Sequence, residues 1–351
     1  MTTASDVVVV GAGIVGASVA YHLAYAGADV VLLDKGQPAS GASGDSFAWI
    51  GRGTANAPPE QLPLRRTVLE DYRRLERELA GVRVRWSGSL SWGHDEQVPP
   101  HDPHDRQLID ATEITRLEPH LATVPAQAVL QAADGAVDPV AVIEALVGGA
   151  RDHGARIRTG VAVHGLPVRN NRVSGVQTSA GFLSARMVVL ASGADAPALC
   201  TPLGFHLPVA PSPALLVRFT APPGMVRTLV ANDQLEVREA ADGHLLIAWG
   251  HDGQTSQSEL NRTGQRVLEQ LKSSFSGADD VHLVSVRVGV RPMPTDGSPV
   301  IGPVPTAAGA YLTVMHSGVT LAPTVGRLVA REIVDDVDAE ELQPLRPSRF
   351  T

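Results

Sequence analysis

The stretch at residues 6–35, DVVVVGAGIVGASVAYHLAYAGADVVLLDK, decides the fold. Its valine run, residues 7–10, is typical of a strand buried on both faces, and the run stops at a glycine turn, residues 11–16. The apolar segment after the turn predicts a helix, and residues 30–33 predict a second strand that ends at Asp34. A strand, a glycine turn, a helix and a second strand ending in an acid together indicate a dinucleotide-binding unit.

Each glycine of the turn has its own physical role in this interpretation. Gly11 permits the tight turn, Gly13 has no Cβ to obstruct a pyrophosphate, and Gly16 lets the helix pack against the strand. The pyrophosphate would rest on the helix N-terminus, where free N–H groups and the helix dipole favour an anion. Asp34 would accept hydrogen bonds from an adenosine ribose, and an acid here argues against a 2′-phosphate.

A loop of small residues, 36–46, follows directly after this acid. Small side chains and hydroxyls let a backbone approach a bound phosphate closely, so the loop is a candidate second contact to the cofactor. A flexible surface loop is the alternative. The frame of a serine nucleophile elbow, G-x-S-x-G, is absent around Ser43 and Ser46.

Composition restricts the class of protein. A chain of 351 residues with 44% hydrophobic and 19% charged residues is typical of a globular protein of about two domains. The net charge of −8 gives no attraction to nucleic acid, and no apolar run is long enough to span a bilayer. The single cysteine, Cys200, fits a reducing compartment, and we expect a cytoplasmic protein.

The polar loop at residues 94–105 superficially resembles a metal site. It carries histidines and acids among prolines. A metal site needs ligands fixed on ordered elements, so the pattern favours a solvated loop, and we expect no metal.

The order of predicted elements indicates two domains, each discontinuous in sequence. Residues 1–81, 136–206 and 285–351 carry the alternating strands and helices of an α/β, Rossmann-like dinucleotide-binding domain. Residues 82–135 and 207–284 carry an antiparallel pattern, predicted to form a second, α+β substrate domain over the cofactor. Asp138 and Pro139 are predicted to begin a helix that runs to about residue 152.

The C-terminal segment contains two further motifs. Residues 285–302, SVRVGVRPMPTDGSPVIG, read as a strand, a proline-framed turn and another strand. Residues 316–323, HSGVTLAP, follow a strand and begin a helix that runs to about residue 334. This second glycine turn at a second helix N-terminus could hold a second electronegative group.

With these motifs the chain resembles the D-amino acid oxidase superfamily of FAD-dependent amine oxidoreductases, especially its glycine oxidase and sarcosine oxidase branch. The resemblance runs through nearly the whole chain, from VVVVGAGIVG, through GASGDSFAWI and VVLASGAD, to the two C-terminal motifs. It implies FAD, held noncovalently because the C-terminal segment lacks the cysteine that tethers flavin in some relatives.

The resemblance also implies roles for individual residues. Arg291 matches the arginine that holds the substrate carboxylate, and His316 could line the site near the flavin or only cap the turn. The candidate cofactor contacts are Gly11, Gly13, Ile14, Val15, Gly16, Asp34, Lys35, Ser43, Gly44, Ser46, Val163, Ser192, Gly193, Gly318, Val319, Thr320 and Leu321.

The expected reaction is oxidation of the C–N bond of an amino acid or secondary amine, with O₂ or another acceptor reoxidising the flavin. Two alternatives stay open at this point. One is a flavin-dependent 2-hydroxy acid dehydrogenase, in which a base such as His316 would take the hydroxyl proton. The other is an NAD-dependent dehydrogenase or a dinucleotide-binding protein without turnover.

Overall fold

The computed structural model describes residues 5–53, 58–93 and 106–351. The polar loop considered above as a metal site, residues 94–105, lies outside the described residues. Within the described ranges, no group of three or more His, Cys, Asp or Glu side chains is arranged to hold a metal ion. Among the helices of the same ranges, none combines the length and the apolar character needed to cross a bilayer.

The first half of the chain contains short strands and five helices within the part that the structure describes. They are β1 (Ser5–Val10), α1 (Ile14–Tyr25), β2 (Val30–Leu33), β3 (Trp49–Ile50), α2 (Leu62–Arg65), α3 (Val68–Glu78), β4 (Val84–Arg85), β5 (Ser89–Ser91), β6 (Gln107–Asp110), α4 (Ala111–Leu117), β7 (Gln127–Gln131), β8 (Gly135–Val137), α5 (Pro139–Asp152), β9 (Arg156–Arg158), β10 (Val163–Gly165), β11 (Val168–Arg169) and β12 (Arg172–Val173).

The second half contains longer strands and the two longest helices among the described residues. Its elements are β13 (Gly175–Thr178), β14 (Gly181–Leu190), α6 (Ala196–Cys200), β15 (Val209–Thr220), β16 (Leu229–Ala231), β17 (Glu236–Glu239), β18 (Leu245–Gly250), α7 (Gln257–Ser274), β19 (His282–Pro294), β20 (Val300–Pro303), β21 (Ala310–Val314) and α8 (Gly318–Val334).

Local sequence signals begin α5 where it was predicted, and they also mark the start of α7. The Asp138 carboxylate accepts hydrogen bonds from Val140 N at 2.9 Å and Ala141 N at 3.3 Å, which caps α5 ahead of the proline at its first position. At the start of α7, Ser256 and Glu259 form a reciprocal capping box. Both caps satisfy N–H groups that a helix leaves without intrahelical partners.

The first large sheet is the Rossmann-like layer. Its parallel strands lie in the order β9, β2, β1, β14, β21, with β20 antiparallel beside β21 and β13 antiparallel beside the first half of β14. Val7 and Val9 face one buried cluster, with α1, α5 and α8, while Val8 and Val10 face another. The valine run is therefore buried on both faces, as its continuous apolar pattern predicts.

The second large sheet has the order β19, β15, β18, β17, β16, β5, β7, β6 and is antiparallel except where β16 lies parallel to β5. One face, including Val217 and Phe219, packs against Val267 and Leu271 of α7. A small sheet of β3, β8 and β4 lies beside the Rossmann-like layer and carries Trp49 on β3. The mixed α/β and antiparallel architecture predicted from the sequence is confirmed.

Strand β19 crosses the domain boundary predicted at residue 285. Residues 209–220 of β15 pair with residues 282–294 of β19 along the length of both strands, so residues 285–294 belong to the second sheet. The chain enters the parallel sheet again only at β20 and β21. Arg291 consequently projects from the second sheet.

Candidate functional site

The glycine turn after β1 has the geometry that a dinucleotide requires. Gly11 has a φ of 105°, and a Cβ there would lie 2.5 Å from the Ala191 carbonyl oxygen. A Cβ on Gly16 would lie 1.8 Å from the Gly11 carbonyl oxygen, so α1 packs onto the turn at glycine distance. A Cβ on Gly13 would meet within 4 Å only the Ser43 hydroxyl, at 3.1 Å, which leaves this side open for a ligand.

Asp34 lies at the end of β2 and is held by the backbone. Ala12 N donates to Oδ2 at 2.6 Å, and Gly36 N donates to Oδ1 at 2.7 Å. A carboxylate has about four acceptor positions, so the remaining ones are available to ribose hydroxyls. Val161 N donates to the Asp34 carbonyl oxygen at 2.8 Å, which brings the start of β10, and with it Val163, beside this acid.

The small-residue loop lies over the start of α1. Ser43 Oγ accepts a hydrogen bond from Ile14 N at 3.1 Å, so the hydroxyl lies beside the helix N-terminus at which a phosphate would rest. Gly44 is needed for packing within the loop, because a Cβ there would lie 2.3 Å from the Ala39 carbonyl oxygen. Ser46 Oγ accepts from Ala48 N at 3.1 Å and thus also serves its own loop.

Two predicted contacts flank the turn at the ends of β2 and β14. Lys35 Nζ lies 2.6 Å from Asp195 Oδ2, and both side chains are mostly exposed, so the pair spans the open edge beyond β1. The Ser192 hydroxyl is buried and has no hydrogen-bond partner in the described part of the chain. Its Cα would lie 3.1 Å from a Cβ on Gly11, and Gly193 follows with a φ of 57°.

The second helix N-terminus lies beside the first. A Cβ on Gly318 would lie 3.2 Å from Val15 Cγ2, so the starts of α1 and α8 are neighbours. Ser317 adopts a left-handed φ of 58°, and the first helical hydrogen bond runs from Leu321 N to Ser317 O at 3.0 Å. The N–H groups of residues 318–320 therefore have no intrahelical partner and can face an anion.

Neighbouring elements hold this first turn of α8 in place. Tyr72 OH donates to the Val319 carbonyl oxygen at 2.5 Å, and Thr320 Oγ1 donates to the Trp49 carbonyl oxygen at 2.7 Å. The Thr320 hydroxyl is thus engaged in packing α8 against β3. Burial of the Leu321 side chain is complete. The residues predicted to contact the flavin edge would therefore contribute backbone groups from a turn that two hydrogen bonds hold in place.

Arg291 reaches the site from β19 and is oriented by Ser212 of β15. Its Nε donates to the Ser212 carbonyl oxygen at 3.3 Å, and its Nη2 donates to Ser212 Oγ at 2.9 Å. A guanidinium has five N–H donors, so its remaining donors can bind a planar carboxylate. The sequence pattern did not indicate Ser212, because the register that pairs it with Arg291 joins residues 79 positions apart.

His316 lies close to two arginines. Burial and the positive charges of Arg291 and Arg65 lower the pKa of the His316 imidazole, so the ring is neutral near pH 7. Arg65 lies on α2, where its Nε and Nη2 donate to Gln61 Oε1 at 3.3 and 3.2 Å. The sequence pattern did not single out Arg65, and only the fold brings its charge toward His316.

Two further aromatic side chains lie on β18 and in the turn before it. Trp249 packs against the core of the second sheet, on the side of Leu215. His244 lies 3.2 Å from Asp242 in the turn before β18.

These residues fit FAD. The open side of Gly13, the Ser192 hydroxyl, which has no hydrogen-bond partner among the described residues, and the acceptors of Asp34 could hold the adenosine and pyrophosphate of the cofactor. The start of α8 would supply N–H groups to the electronegative edge of the flavin. Cys200 is buried in the core below the parallel sheet, and burial raises the pKa of its thiol to about 12, so it is no candidate for a flavin tether.

Comparison with known proteins identifies the family. Residues 6–332 match the family model described as FAD dependent oxidoreductase. The chain is 27% identical to the uncharacterized oxidoreductase YurR of Bacillus subtilis, over 97% of this chain and 98% of that protein. It is also 27% identical to the glycine oxidase of Bacillus licheniformis, over 98% and 97% of the two chains.

A solved structure shows the same fold. The L-amino acid deaminase of Proteus vulgaris, crystallised without its specific insertion, superposes with a TM-score of 0.88 at 23% identity, over 100% of this chain and 95% of that chain. The match of the family model from β1 to α8 confirms FAD as the cofactor and an oxidoreductase of the amino acid oxidase and dehydrogenase type, and it replaces the NAD alternative. The chain belongs to the FAD dependent oxidoreductase family.

Proposed function

We propose that this enzyme oxidises the C–N bond of an α-amino acid or a secondary amine that carries a carboxylate. The observation that supports the proposal is Arg291, whose guanidinium is fixed by Ser212 with donors to spare, close to His316 at the start of α8. The glycine oxidase and L-amino acid deaminase relatives are named for amino acid substrates, which fits this arrangement.

The protein's part in the reaction is orientation. Arg291 would hold the substrate carboxylate through a planar, charge-assisted contact, and this places the α-carbon toward the cofactor. The bound FAD would supply the oxidising chemistry, as the acceptor for the hydride that leaves the α-carbon. The amine must be neutral at that point, and its lone pair forms the imine double bond. Water then hydrolyses the imine, giving an oxo acid and an amine.

Anaerobic flavin bleaching tests the proposal. The purified protein should be yellow, and its flavin absorbance should fall when D-, L- or N-methyl amino acids are added without oxygen. Readmission of air then shows whether O₂ or another acceptor reoxidises the flavin. A yellow protein that no amine bleaches, although dithionite does, would contradict the proposal.

One observation favours a second candidate, the oxidation of a 2-hydroxy acid. A hydroxyl must lose a proton during oxidation, and the neutral His316 ring near Arg291 could accept it. The same bleaching experiment with 2-hydroxy acids separates the candidates. Faster reduction by a hydroxy acid than by its amino analogue, with loss of that reduction in His316→Ala, would select this second activity.

A further inference from the structure

Glu236 shares a sheet face with Arg291, although the two lie on strands that are not neighbours. Glu236 pairs with Ala248 of β18, and Ala248 pairs with Leu216 of β15. Leu216 in turn pairs with Arg287 of β19. Directly paired residues point to one face, and Arg291 lies an even number of positions after Arg287. Glu236 and Arg291 therefore project from the same side of the second sheet.

This face of the second sheet lies toward the Rossmann-like layer. Phe47, which precedes β3, packs against Leu216 and Leu246 on it. Arg238, on the strand of Glu236, donates through Nε to the Phe47 carbonyl oxygen at 2.5 Å. The opposite face is filled by the core around α7. Glu236 thus belongs to the wall between the sheet and the start of α8.

The Glu236 carboxyl has no hydrogen-bond or ion-pair partner among residues 5–53, 58–93 and 106–351. It is partly buried, and burial raises its pKa to about 7, against the opposing positive charge of Arg291. The positive charge of Arg291 opposes this rise, whereas the hydrogen bonds of Arg291 go to Ser212. Its oxygens are not among the fully buried polar atoms, so the carboxyl keeps some contact with solvent and is open to a ligand that enters this space.

An acidic and a basic group that face one space without touching match a ligand with charges of both signs. An amino acid presents a carboxylate and, one carbon away, an amine nitrogen with N–H donors. We propose that Glu236 accepts a hydrogen bond from the substrate's reacting amine nitrogen while Arg291 holds the carboxylate, so that the pair selects amino acids over the corresponding acids. This inference rests on the proposed function and assigns the amine-binding group of the same site.

The pair also predicts a preference for the oxidation of amines over that of 2-hydroxy acids. A 2-hydroxy acid has one hydroxyl donor and no cationic form, so it gains less from an acceptor that can become charged. An amine keeps an N–H donor whether it is protonated or neutral. Glu236 should therefore favour amines, while Arg291 treats both substrate classes alike.

Ligand binding to the flavoprotein tests the assignment. The variants are Glu236→Gln and Glu236→Ala, with Glu239→Gln as the matched control, because Glu239 lies on the same strand but on the other face, paired with Arg85 at 3.0 Å. For each FAD-loaded protein, the flavin spectral shift gives Kd for a carboxylic acid without an amine, such as propionate. Stopped-flow reduction gives the apparent Kd for alanine and for lactate.

We expect both Glu236 variants to weaken alanine binding about 10- to 100-fold, the range of a hydrogen bond to a charged group, and Ala to weaken it more than Gln. Propionate binding should stay within about twofold, and the control should match the unmodified enzyme. Equal losses for alanine and propionate would show that Glu236 only supports Arg291 and would overturn the assignment. Unchanged alanine binding would also overturn the assignment, as would a loss of binding that is confined to amino acids with a cationic side chain.

The same measurements separate this inference from the proposed function. If alanine and other amines reduce the flavin of the unmodified enzyme, and the Glu236 variants bind and react as the unmodified enzyme does, only the Glu236 assignment is overturned. An unmodified enzyme whose flavin no amine reduces, and which binds alanine no better than propionate, overturns both.

Discussion

The two large sheets offer different kinds of contact to a ligand. At the edge of the parallel sheet the contacts are steric and involve backbone, as the 1.8 Å between a Cβ on Gly16 and the Gly11 carbonyl oxygen shows. On the antiparallel sheet the contacts are made by long side chains, such as Arg291, which Ser212 orients at 2.9 Å. The comparison teaches that the glycine turn and Asp34 come from thirty residues of sequence, although Ala191 packs against Gly11, whereas the placement of Arg291 beside Ser212 depends on strand register.

Gly16→Ala should have the largest effect, because backbone atoms of the turn would have to move. We expect a loss of about 4 kcal/mol or more in the free energy of unfolding, together with loss of bound FAD. Gly148→Ala is the control, since a Cβ at this position in α5 meets nothing within 4 Å and should stabilise the helix. Urea unfolding and the ratio of flavin to protein absorbance measure both. A Gly16→Ala protein of normal stability and flavin content would contradict the steric account.

Arg291→Ala should have the next largest effect, on substrate and not on cofactor. We expect kcat/KM for a carboxylate substrate to fall about 100-fold, mainly through KM, with FAD content unchanged. The kcat/KM of Arg291→Lys should also fall, because an ammonium cannot make the planar contact. Arg287→Ala serves as the control, since this arginine of the same strand is largely exposed in its ion pair with Asp45. An unchanged KM in Arg291→Ala would refute the assignment.

Asp134 lies between the small sheet and the second large sheet. Its substitution should have an intermediate effect, on the free energy of unfolding. Its Oδ2 accepts from Trp49 Nε1 at 2.7 Å and from Ser89 Oγ at 2.8 Å, and burial raises its pKa to about 6. Because the folded-state pKa lies above the ordinary value, this group contributes stability at low pH that is lost as pH rises through about 6.

Asp134→Asn keeps an oxygen acceptor and removes this titration. At pH 7.5 we expect the variant to be more stable than the unmodified protein by about 2 kcal/mol, and at pH 4 the difference should vanish. Urea unfolding at the two pH values measures it. A difference that is equal at both pH values would show that the buried carboxyl does not titrate in this way.

His316→Gln should have the smallest effect on amine oxidation. The ring is neutral and no amine step requires it as a base, so we expect kcat for an amino acid to change less than about fivefold. Reduction by a 2-hydroxy acid, if it occurs, should fall by about 100-fold or more. Stopped-flow flavin reduction with alanine and lactate distinguishes the two. A large loss with alanine would make His316 part of the amine reaction.

The local signals were read correctly from the sequence. The valine run, the spacing of the three glycines, Asp34 after β2 and the turn before α8 each lie within a short segment, and the structure places all of them at one edge of the parallel sheet. The helix cap at Asp138 is equally local. Each of these rests on backbone conformation or on neighbours in sequence, which residue type alone constrains.

What only the tertiary structure decided is the other wall of the site. Ser212 meets Arg291, Arg65 approaches His316, and Glu236 faces the same space, through pairings of distant segments. The same pairing places residues 285–294 in the second sheet, on the other side of the domain boundary that the sequence predicted. The physical reason is that strand register sets which side chains share a face, and a one-residue slip would turn each of them away, whereas the positive φ of Gly11 and the close contact between Gly16 and Gly11 arise within the turn itself.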